Sequence, residues 1–257
     1  MELHVLGAAG GEMSGFKPSS FLLDQYLLLD AGSMCSALNL EQLSNIDHIL
    51  ISHSHLDHIK DLGLLADLLT GRRDTPVNVY STATVLHALQ THYFNNSIWP
   101  DFTKIPNLEN PVMRLIEIHP QQPFQLGDYT ITAIPVNHTV ETHGFLVTKH
   151  GKSLIYSADT GPTDLLWAYA NQAPDLRGLI LDVAFPNRMQ FLADLAKHLS
   201  PQGALEELKK LNNPNTPIFF FHLKPGFYDE LKLEIGTTLL ANHPERRILR
   251  SGDRIDL

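Results

Sequence analysis

Ile49-Leu50-Ile51-Ser52-His53-Ser54-His55-Leu56-Asp57-His58-Ile59 is the stretch of sequence from which the fold can be predicted. The segment 46–51 that leads into it is largely apolar and too short for a helix, so it predicts a buried strand. Alternate residues of an extended chain share a face, so His53, His55 and Asp57 would converge beyond the end of that strand. His58 would join them through the turn that begins the next helix. A solvated, histidine-rich turn is the alternative interpretation, but three histidines and an aspartate within six residues favour a metal site, and their donors suit zinc.

The sequence His-Ser-His-Leu-Asp-His-Ile over residues 53–59 resembles the signature of the metallo-β-lactamase superfamily. In its full form it resembles the class II 3′,5′-cyclic-nucleotide phosphodiesterase branch of that superfamily. Segments 94–106, 197–201 and 221–226 extend the resemblance over most of the chain. The resemblance implies an α/β fold (α+β in some schemes), a four-layer αββα sandwich of two mixed β-sheets flanked by helices.

The order of strands and helices along the chain also favours two mixed sheets with helices outside them. Residues 20–23 and 26–29 predict a hairpin, and residues 61–69 predict an amphipathic helix that ends before Gly71. Gly7-Ala8-Ala9-Gly10-Gly11 lacks the ending of a P-loop, so it predicts a tight loop that lets the backbone approach the metal site. No linker or low-complexity tract interrupts the pattern, and we expect a single metallo-hydrolase domain over residues 1–257.

Composition and charge limit the classes of partner. Hydrophobic residues make up 43% of the 257 residues and charged residues 18%, which is typical of a globular protein. The formal net charge of −9 disfavours an extended nucleic acid as a partner, whereas a small phosphate ester could bind where metals invert the local field. Cys35 is the single cysteine, so no intramolecular disulfide can form. The amino terminus does not resemble a signal peptide, and the sequence contains no membrane-spanning segment. We therefore expect a cytoplasmic location and no membrane partner. The sequence is compatible with a homodimer.

Three further candidate ligands, His138, Asp159 and His222, each follow a predicted strand, in the order in which the superfamily places its later ligands. The resemblance implies three groups of ligands: His53, His55 and His138 on one metal, Asp57, His58 and His222 on the second, and Asp159 as the bridge. The expected cofactors are therefore two divalent metal ions, zinc by donor type, with manganese or iron open. Asp159 in place of cysteine distinguishes the chain from the antibiotic-hydrolysing β-lactamases.

His198 is predicted to act on the substrate and not on a metal. Lys197-His198-Leu199-Ser200-Pro201 resembles a His-x-Thr-type motif of the phosphodiesterase and ribonuclease Z branches, with serine in place of threonine. In those branches the histidine lies beside the scissile phosphate. The alternative is an exposed histidine at the end of a predicted helix over residues 192–198. His143 stays undecided, and the remaining histidines are interpreted as structural or exposed: His4, His48, His87, His92, His119, His150 and His243.

The expected function is hydrolysis of a 3′,5′-cyclic nucleotide, with cyclic AMP as the first choice, to the 5′-nucleotide. The attacking group would be a hydroxide shared by the metals, with Asp57 accepting its proton and His198 serving the leaving oxygen. The 94–106 loop either lines the pocket for the base through Trp99 or Phe102, or is pinned to the core by the same side chains. The alternatives are a ribonuclease Z-like tRNA 3′-processing nuclease, a thioester or lactam hydrolase of the same fold, and a metal-binding regulatory module without turnover.

Overall fold

The computed structural model describes residues 1–257. In chain order the strands are β1 (Glu2–Gly7), β2 (Ser20–Leu23), β3 (Leu27–Leu29), β4 (His48–Leu50), β5 (Val77–Ser81), β6 (Met113–Glu117), β7 (Phe124–Leu126), β8 (Tyr129–Pro135), β9 (His143–Lys149), β10 (Lys152–Tyr156), β11 (Leu176–Asp182), β12 (Ile218–Phe221), β13 (Arg246–Ile248) and β14 (Arg254–Asp256). The helices are α1 (Met34–Ala37), α2 (Leu40–Ser44), α3 (Leu56–Ile59), α4 (Asp61–Leu69), α5 (Ala83–His92), α6 (Leu165–Gln172), α7 (Gln190–Ala196), α8 (Pro201–Leu208) and α9 (Tyr228–Thr238). Two short 3₁₀ turns lie at Asn187–Met189 and Pro225–Phe227. No helix combines the length and the apolar character that crossing a membrane requires.

The chain divides into two compact units. Unit 1 comprises residues 1–7, 17–119 and 251–256, and unit 2 comprises residues 8–16, 120–250 and 257. Each unit contains one seven-stranded sheet with its own helices. The single-domain organisation over residues 1–257 stays a prediction.

Unit 1 is built on the sheet β14-β1-β2-β3-β4-β5-β6. Its first three pairings are antiparallel and its last three are parallel. Helix α4 packs against one face of this sheet through Leu62 and Leu65, which are fully buried with Leu28 and Ile49 of the strands. The carboxyl ends of the parallel strands β3 and β4 therefore meet at one edge, where ligand sites form in α/β sheets.

Unit 2 repeats the same arrangement in the sheet β13-β12-β11-β10-β9-β8-β7. From β7 to β13, three antiparallel pairings are again followed by three parallel ones. Helices α6, α8 and α9 cover one face, where Trp167, Leu208 and Leu231 pack against Leu181 and Phe220. The carboxyl ends of β10, β11 and β12 lie side by side because the three strands are parallel neighbours.

The predicted fold class is confirmed, because both sheets are mixed and both carry helices. The helix over residues 61–69 has the predicted bounds, and Gly71 follows it with a φ of 71°. Strands β7, β13 and β14, which have three residues each, were not predicted from the sequence. Such strands are too short to show a period of two, so their pairing depends on the neighbouring strands.

The 94–106 loop is anchored to the core of unit 1. Phe102 is only 4% exposed, and Trp99 packs against the same core. A Cβ on Gly63 of α4 would lie 2.7 Å from the Trp99 indole and 2.8 Å from the Tyr93 hydroxyl, so the glycine makes room for both rings. That hydroxyl donates a hydrogen bond to the Lys60 carbonyl at 2.6 Å and accepts one from the Gly63 N–H at 3.1 Å. Of the two interpretations left open, these contacts support the anchor.

Trp99→Ala is therefore expected to reduce stability and to leave substrate binding unchanged. Removing a partly buried indole should lower the free energy of unfolding by about 2–3 kcal/mol, less than for a fully buried aromatic residue. Urea unfolding measures this loss, and Ile98→Ala is the control because the Ile98 side chain is 64% exposed on the same loop. A raised KM at unchanged stability would instead show that the loop lines the substrate pocket.

Candidate metal centre

The first cluster of candidate ligands follows β4 in unit 1. The chain stays extended as far as His55 and then enters α3, so Asp57 reaches the cluster from the first turn of a helix. The extended path to Asp57 that residue alternation suggested is thus wrong, because the hydrogen bond from the His58 N–H to the His55 carbonyl already closes a helical turn. The His53 ring lies 4.6 Å from the His55 ring and 4.2 Å from the His58 ring. Asp57 Oδ2 lies 4.0 Å from His58 Nε2, so the structure brings all four predicted residues together.

Asp30, the residue after β3, orients two of these histidines. Its Oδ2 accepts hydrogen bonds from His58 Nδ1 and from Ser52 Oγ, both at 2.7 Å. Because the Ser52 hydroxyl gives its proton to Asp30, it accepts the proton of His53 Nδ1 at 2.9 Å. Both rings therefore hold their proton on Nδ1 and present Nε2 as the electron-pair donor, which is how metal-binding histidines are usually held.

The second cluster lies at the carboxyl ends of the strands of unit 2. Asp159 Oδ2 lies 3.9 Å from His138 Nε2 and 3.2 Å from His222 Nε2, so one carboxylate is within reach of both imidazoles. His138 Nδ1 donates to the Lys197 carbonyl at 3.1 Å, which again leaves Nε2 as the donor atom for a metal. Burial lowers the pKa of His138 to about 4 although the nearby Asp159 carboxylate acts in the opposite direction. At neutral pH His138 is therefore uncharged, the form that binds a metal.

Asp182, at the end of β11, is like Asp30 an aspartate of the site that was not predicted from the sequence. Its Oδ2 accepts a hydrogen bond from His198 Nδ1 at 2.7 Å, and its Oδ1 lies 3.4 Å from His222 Nδ1. Burial opposes ionisation of this carboxyl, but the adjacent His198 and His222 rings outweigh it and hold the pKa of Asp182 below its usual value. Both aspartates could have been recognised as candidates from the sequence, because Asp30 and Asp182 each follow an apolar run of three residues.

His198 is buried beside the second cluster. The predicted helix over 192–198 was too long, because α7 ends at Ala196 and Lys197 adopts a left-handed conformation with a φ of 52°. His198 is consequently turned away from the helix axis and is only 6% exposed, so the interpretation as an exposed helix-end residue is wrong. Its ring stacks on the His222 ring at 4.9 Å with an interplanar angle of 19°. Its Nε2 atom is thus beside a predicted metal ligand, while its Nδ1 atom is held by Asp182.

The glycine-rich loop, which was predicted to approach the metal site, contacts the predicted ligand His222. The His222 N–H donates to the Ala8 carbonyl at 2.7 Å, and the Gly10 N–H donates to the Leu223 carbonyl at 3.1 Å. A Cβ on Gly10 would lie 2.3 Å from the His222 carbonyl oxygen and 2.9 Å from its Nδ1. The loop therefore needs glycine at this position to hold the last predicted ligand.

The other titratable residues of the sequence analysis stay outside these clusters. His143 is buried at the first position of β9, paired with Pro135, and belongs to neither ligand cluster. His48 contacts the Tyr80 hydroxyl, and His150 has a side chain that is 73% exposed. Burial raises the pKa of Cys35 to about 12, with a further contribution from Asp61, so the one thiol is protonated at neutral pH.

The donor set fits divalent metal ions. The donors are imidazole nitrogens and carboxylate oxygens without sulfur: His53, His55, Asp57 and His58 in unit 1, and His138, Asp159 and His222 in unit 2. In unit 2 alone, the ligand atoms of Asp159, Asp182, His198 and His222 lie within 4.8 Å of one another. Together with the hydrogen bonds that fix the Nδ1 protons, this chemistry suits zinc, manganese or iron.

The chain is similar to several known proteins. A probable 3′,5′-cyclic-nucleotide phosphodiesterase from Yersinia pestis is 28% identical to the chain over 208 residues, which cover 71% of the chain and 58% of that protein. The chain thus spans little more than half the length of this relative. Unliganded yeast PDE1 shares the fold with a TM-score of 0.77 at 18% identity, over 100% of the chain and 99% of that structure.

A further solved structure of the same fold is the short form of human tRNase Z, with a TM-score of 0.68 at 16% identity over 100% of the chain and 99% of that structure. The family described as Beta-lactamase superfamily domain matches residues 26–222, from β3 to the last predicted ligand. With its two mixed sheets and its histidine and aspartate clusters, the chain belongs to the β-lactamase superfamily and has the metallo-hydrolase fold.

Proposed function

We propose that the chain is a dinuclear metal-dependent phosphodiesterase that hydrolyses 3′,5′-cyclic nucleotides, cyclic AMP first among them, to 5′-nucleotides. The observation that carries the proposal is the buried pair of His198 and Asp182 beside His222. A histidine held by a carboxylate next to a metal ligand suits protonation of an alkoxide leaving group. The similarity to a probable cyclic-nucleotide phosphodiesterase and the net charge of −9 support a small phosphate ester over a long polyanion.

By the family pattern, His53, His55 and His138 would hold one metal, Asp57, His58 and His222 would hold the other, and Asp159 would be shared by both. The distances of 3.9 and 3.2 Å from the Asp159 carboxylate to His138 and His222 support the bridging role within unit 2. Bound divalent metals lower the pKa of water and neutralise charge that develops on phosphoryl oxygens.

Two side chains carry out the two proton transfers: Asp57 accepts a proton from the attacking water, and His198 donates one to the leaving oxygen. The Asp57 side chain is 27% exposed, against 2% for Asp159, so Asp57 is the carboxylate with access to an attacking water, whose proton it accepts. His198 donates from Nε2 to the leaving 3′ oxygen. The Asp182 carboxylate stabilises the positive charge on that ring through Nδ1 and keeps its orientation fixed.

A ribonuclease Z-like nuclease is the second candidate, because His198 also resembles the motif of that branch and the chain shares its fold with human tRNase Z. The net charge of −9 disfavours it, since a protein that grips RNA needs a basic surface. Thioester hydrolysis releases a thiolate, which departs without a proton, so the His198 pair disfavours that reaction. Lactam hydrolysis is disfavoured because the sequence around His198 and His222 resembles the phosphodiesterase branch.

A substrate screen of the metal-loaded protein tests the proposal. The screen comprises cyclic AMP, cyclic GMP, bis(p-nitrophenyl) phosphate, a precursor tRNA, a thioester and a β-lactam at equal enzyme concentration. We expect kcat/KM for a cyclic nucleotide to exceed that for the generic phosphodiester by a wide margin. Efficient trimming of precursor tRNA with the cyclic nucleotides untouched would establish the ribonuclease Z alternative.

A further inference from the structure

Three segments of unit 2 are joined at the carboxyl edge of its sheet. The Ala184 N–H donates to the Leu199 carbonyl at 2.9 Å, and the Lys224 N–H donates to the Ala184 carbonyl at 3.3 Å. These bonds tie the residues after β11, the segment with His198 and the residues after β12 into one rim. Phe185 lies between His198 and Lys224 on this rim.

The side chains of His198, Phe185 and Lys224 on the rim are linked by two successive contacts. The Phe185 ring lies 5.8 Å from the His198 ring in an edge-to-face arrangement. The Lys224 ammonium lies 5.9 Å from the centroid of the Phe185 ring, within the range of a cation–π contact. A partly exposed cation is therefore held one aromatic ring away from the predicted proton donor.

Lys224 makes no ion pair with a carboxylate side chain, whereas three of the seven lysines of unit 2 do. Lys149 contacts Asp128, Lys209 contacts Glu206, and Lys210 contacts both Asp164 and Glu207. In a chain with a net charge of −9, an ammonium that has no carboxylate partner and is separated from His198 by the Phe185 ring is available to an anionic ligand. Its attraction to such a ligand is strengthened because the neighbouring Phe185 ring is 91% buried and excludes water from one side.

We propose that Lys224 is a specificity-determining residue that recognises the negative charge of a phosphate ester, with Phe185 fixing the position of its ammonium. The inference rests on the proposed phosphodiesterase function and names its substrate class as anionic phosphate esters. Lys224 binds the phosphodiester monoanion and binds the phosphomonoester product, which carries more charge, more strongly. A neutral ester or thioester gains nothing from this contact.

The test compares Lys224→Gln and Lys224→Arg with wild type in the metal-loaded protein. The ligands are adenosine 5′-monophosphate and neutral adenosine, measured by calorimetric titration, together with kcat and KM on bis(p-nitrophenyl) phosphate. Lys232→Gln is the matched control, because Lys232 is an exposed lysine of α9 that also has no ion pair. Thermal unfolding of each variant verifies that the fold is retained.

We expect Lys224→Gln to weaken binding of the monophosphate about tenfold, as for the loss of one charge-assisted contact, and to leave adenosine binding unchanged. KM for the diester should rise while kcat changes little. Lys224→Arg should keep most of the affinity, Lys232→Gln should match wild type, and added salt should narrow the difference between wild type and Lys224→Gln.

Equal weakening for monophosphate and adenosine would overturn the inference, since it would show a packing role for the lysine stem on Phe185. Unchanged monophosphate affinity in Lys224→Gln, or wild-type protein that binds no monophosphate, would overturn it as well. The proposed function fails separately: a protein that binds monophosphate through Lys224 but hydrolyses no phosphodiester contradicts the function and keeps the inference. If the protein hydrolyses cyclic nucleotides but Lys224→Gln leaves monophosphate affinity and KM unchanged, the proposed function is retained and the inference about Lys224 is contradicted.

Discussion

Replacing His198 with alanine is expected to lower the turnover of cyclic AMP at least about a hundredfold while the metal content stays that of wild type. The leaving 3′ oxygen is an alkoxide, which departs slowly unless it receives a proton. His198 is buried beside His222 with its Nδ1 held by Asp182, so Nε2 is the atom that can deliver the proton. An activated substrate such as bis(p-nitrophenyl) phosphate should lose much less, because nitrophenolate departs without help.

His150→Ala is the control for this variant, since the His150 side chain is 73% exposed and lies outside the clusters. It should retain wild-type rates on both substrates. Asp182→Asn should reproduce part of the loss, because a neutral amide does not stabilise a positive charge on the ring. Equal losses for His198→Ala on the activated and the natural substrate, or loss of metal, would contradict the role of proton donor.

Replacing Asp159 with asparagine should weaken metal binding at least about a hundredfold and remove turnover with it. The second-sphere partners of metal ligands already contribute 10- to 100-fold in affinity, so a bridging ligand should contribute more. Asp159 is 1% exposed and its carboxylate is within 4 Å of both His138 and His222. Competition with a chromogenic chelator measures the affinity directly.

Asp128→Asn is the control for the Asp159 variant, because the Asp128 side chain is 63% exposed on the surface of unit 2. A variant Asp159→Asn that keeps two metals and merely turns over more slowly would contradict the bridging role. Full activity at wild-type metal affinity would remove Asp159 from the site altogether.

Many candidate ligands of the site could be predicted from the sequence because they follow predicted strands. In parallel sheets the carboxyl ends of neighbouring strands meet, so His53, Asp159 and His222 could be named as candidates from their positions after strands. Their assignment as metal ligands came from the family resemblance and stays a prediction. The role of Asp57 as a ligand stays a prediction, but the extended path predicted for it is wrong, since the start of α3 depends on hydrogen bonds that alternation does not reveal. The helix predicted over residues 192–198 was also wrong at its end. Lys197 adopts a left-handed conformation that ends α7 at Ala196, and the hydrophobic pattern does not reveal this.

Asp30 and Asp182 were missed because their role depends on tertiary contacts. Each ends an apolar strand, but Asp30 meets His58 28 positions later and Asp182 meets His198 16 positions later. A local pattern of hydrophobicity contains no information about such pairs. Trp99 shows the converse, because its aromatic character suggested a stacking surface, whereas its contact with Gly63 supports an anchor.

The number of metal ions that the active protein holds is the most direct test of the dinuclear account. Protein purified without chelator is analysed for metals, stripped, and then titrated with zinc or manganese while cyclic AMP hydrolysis is followed. We predict about two equivalents in the purified protein and activity that rises until two equivalents are bound, as a two-metal mechanism requires. Full activity at one equivalent, or activity in stripped protein, would contradict it.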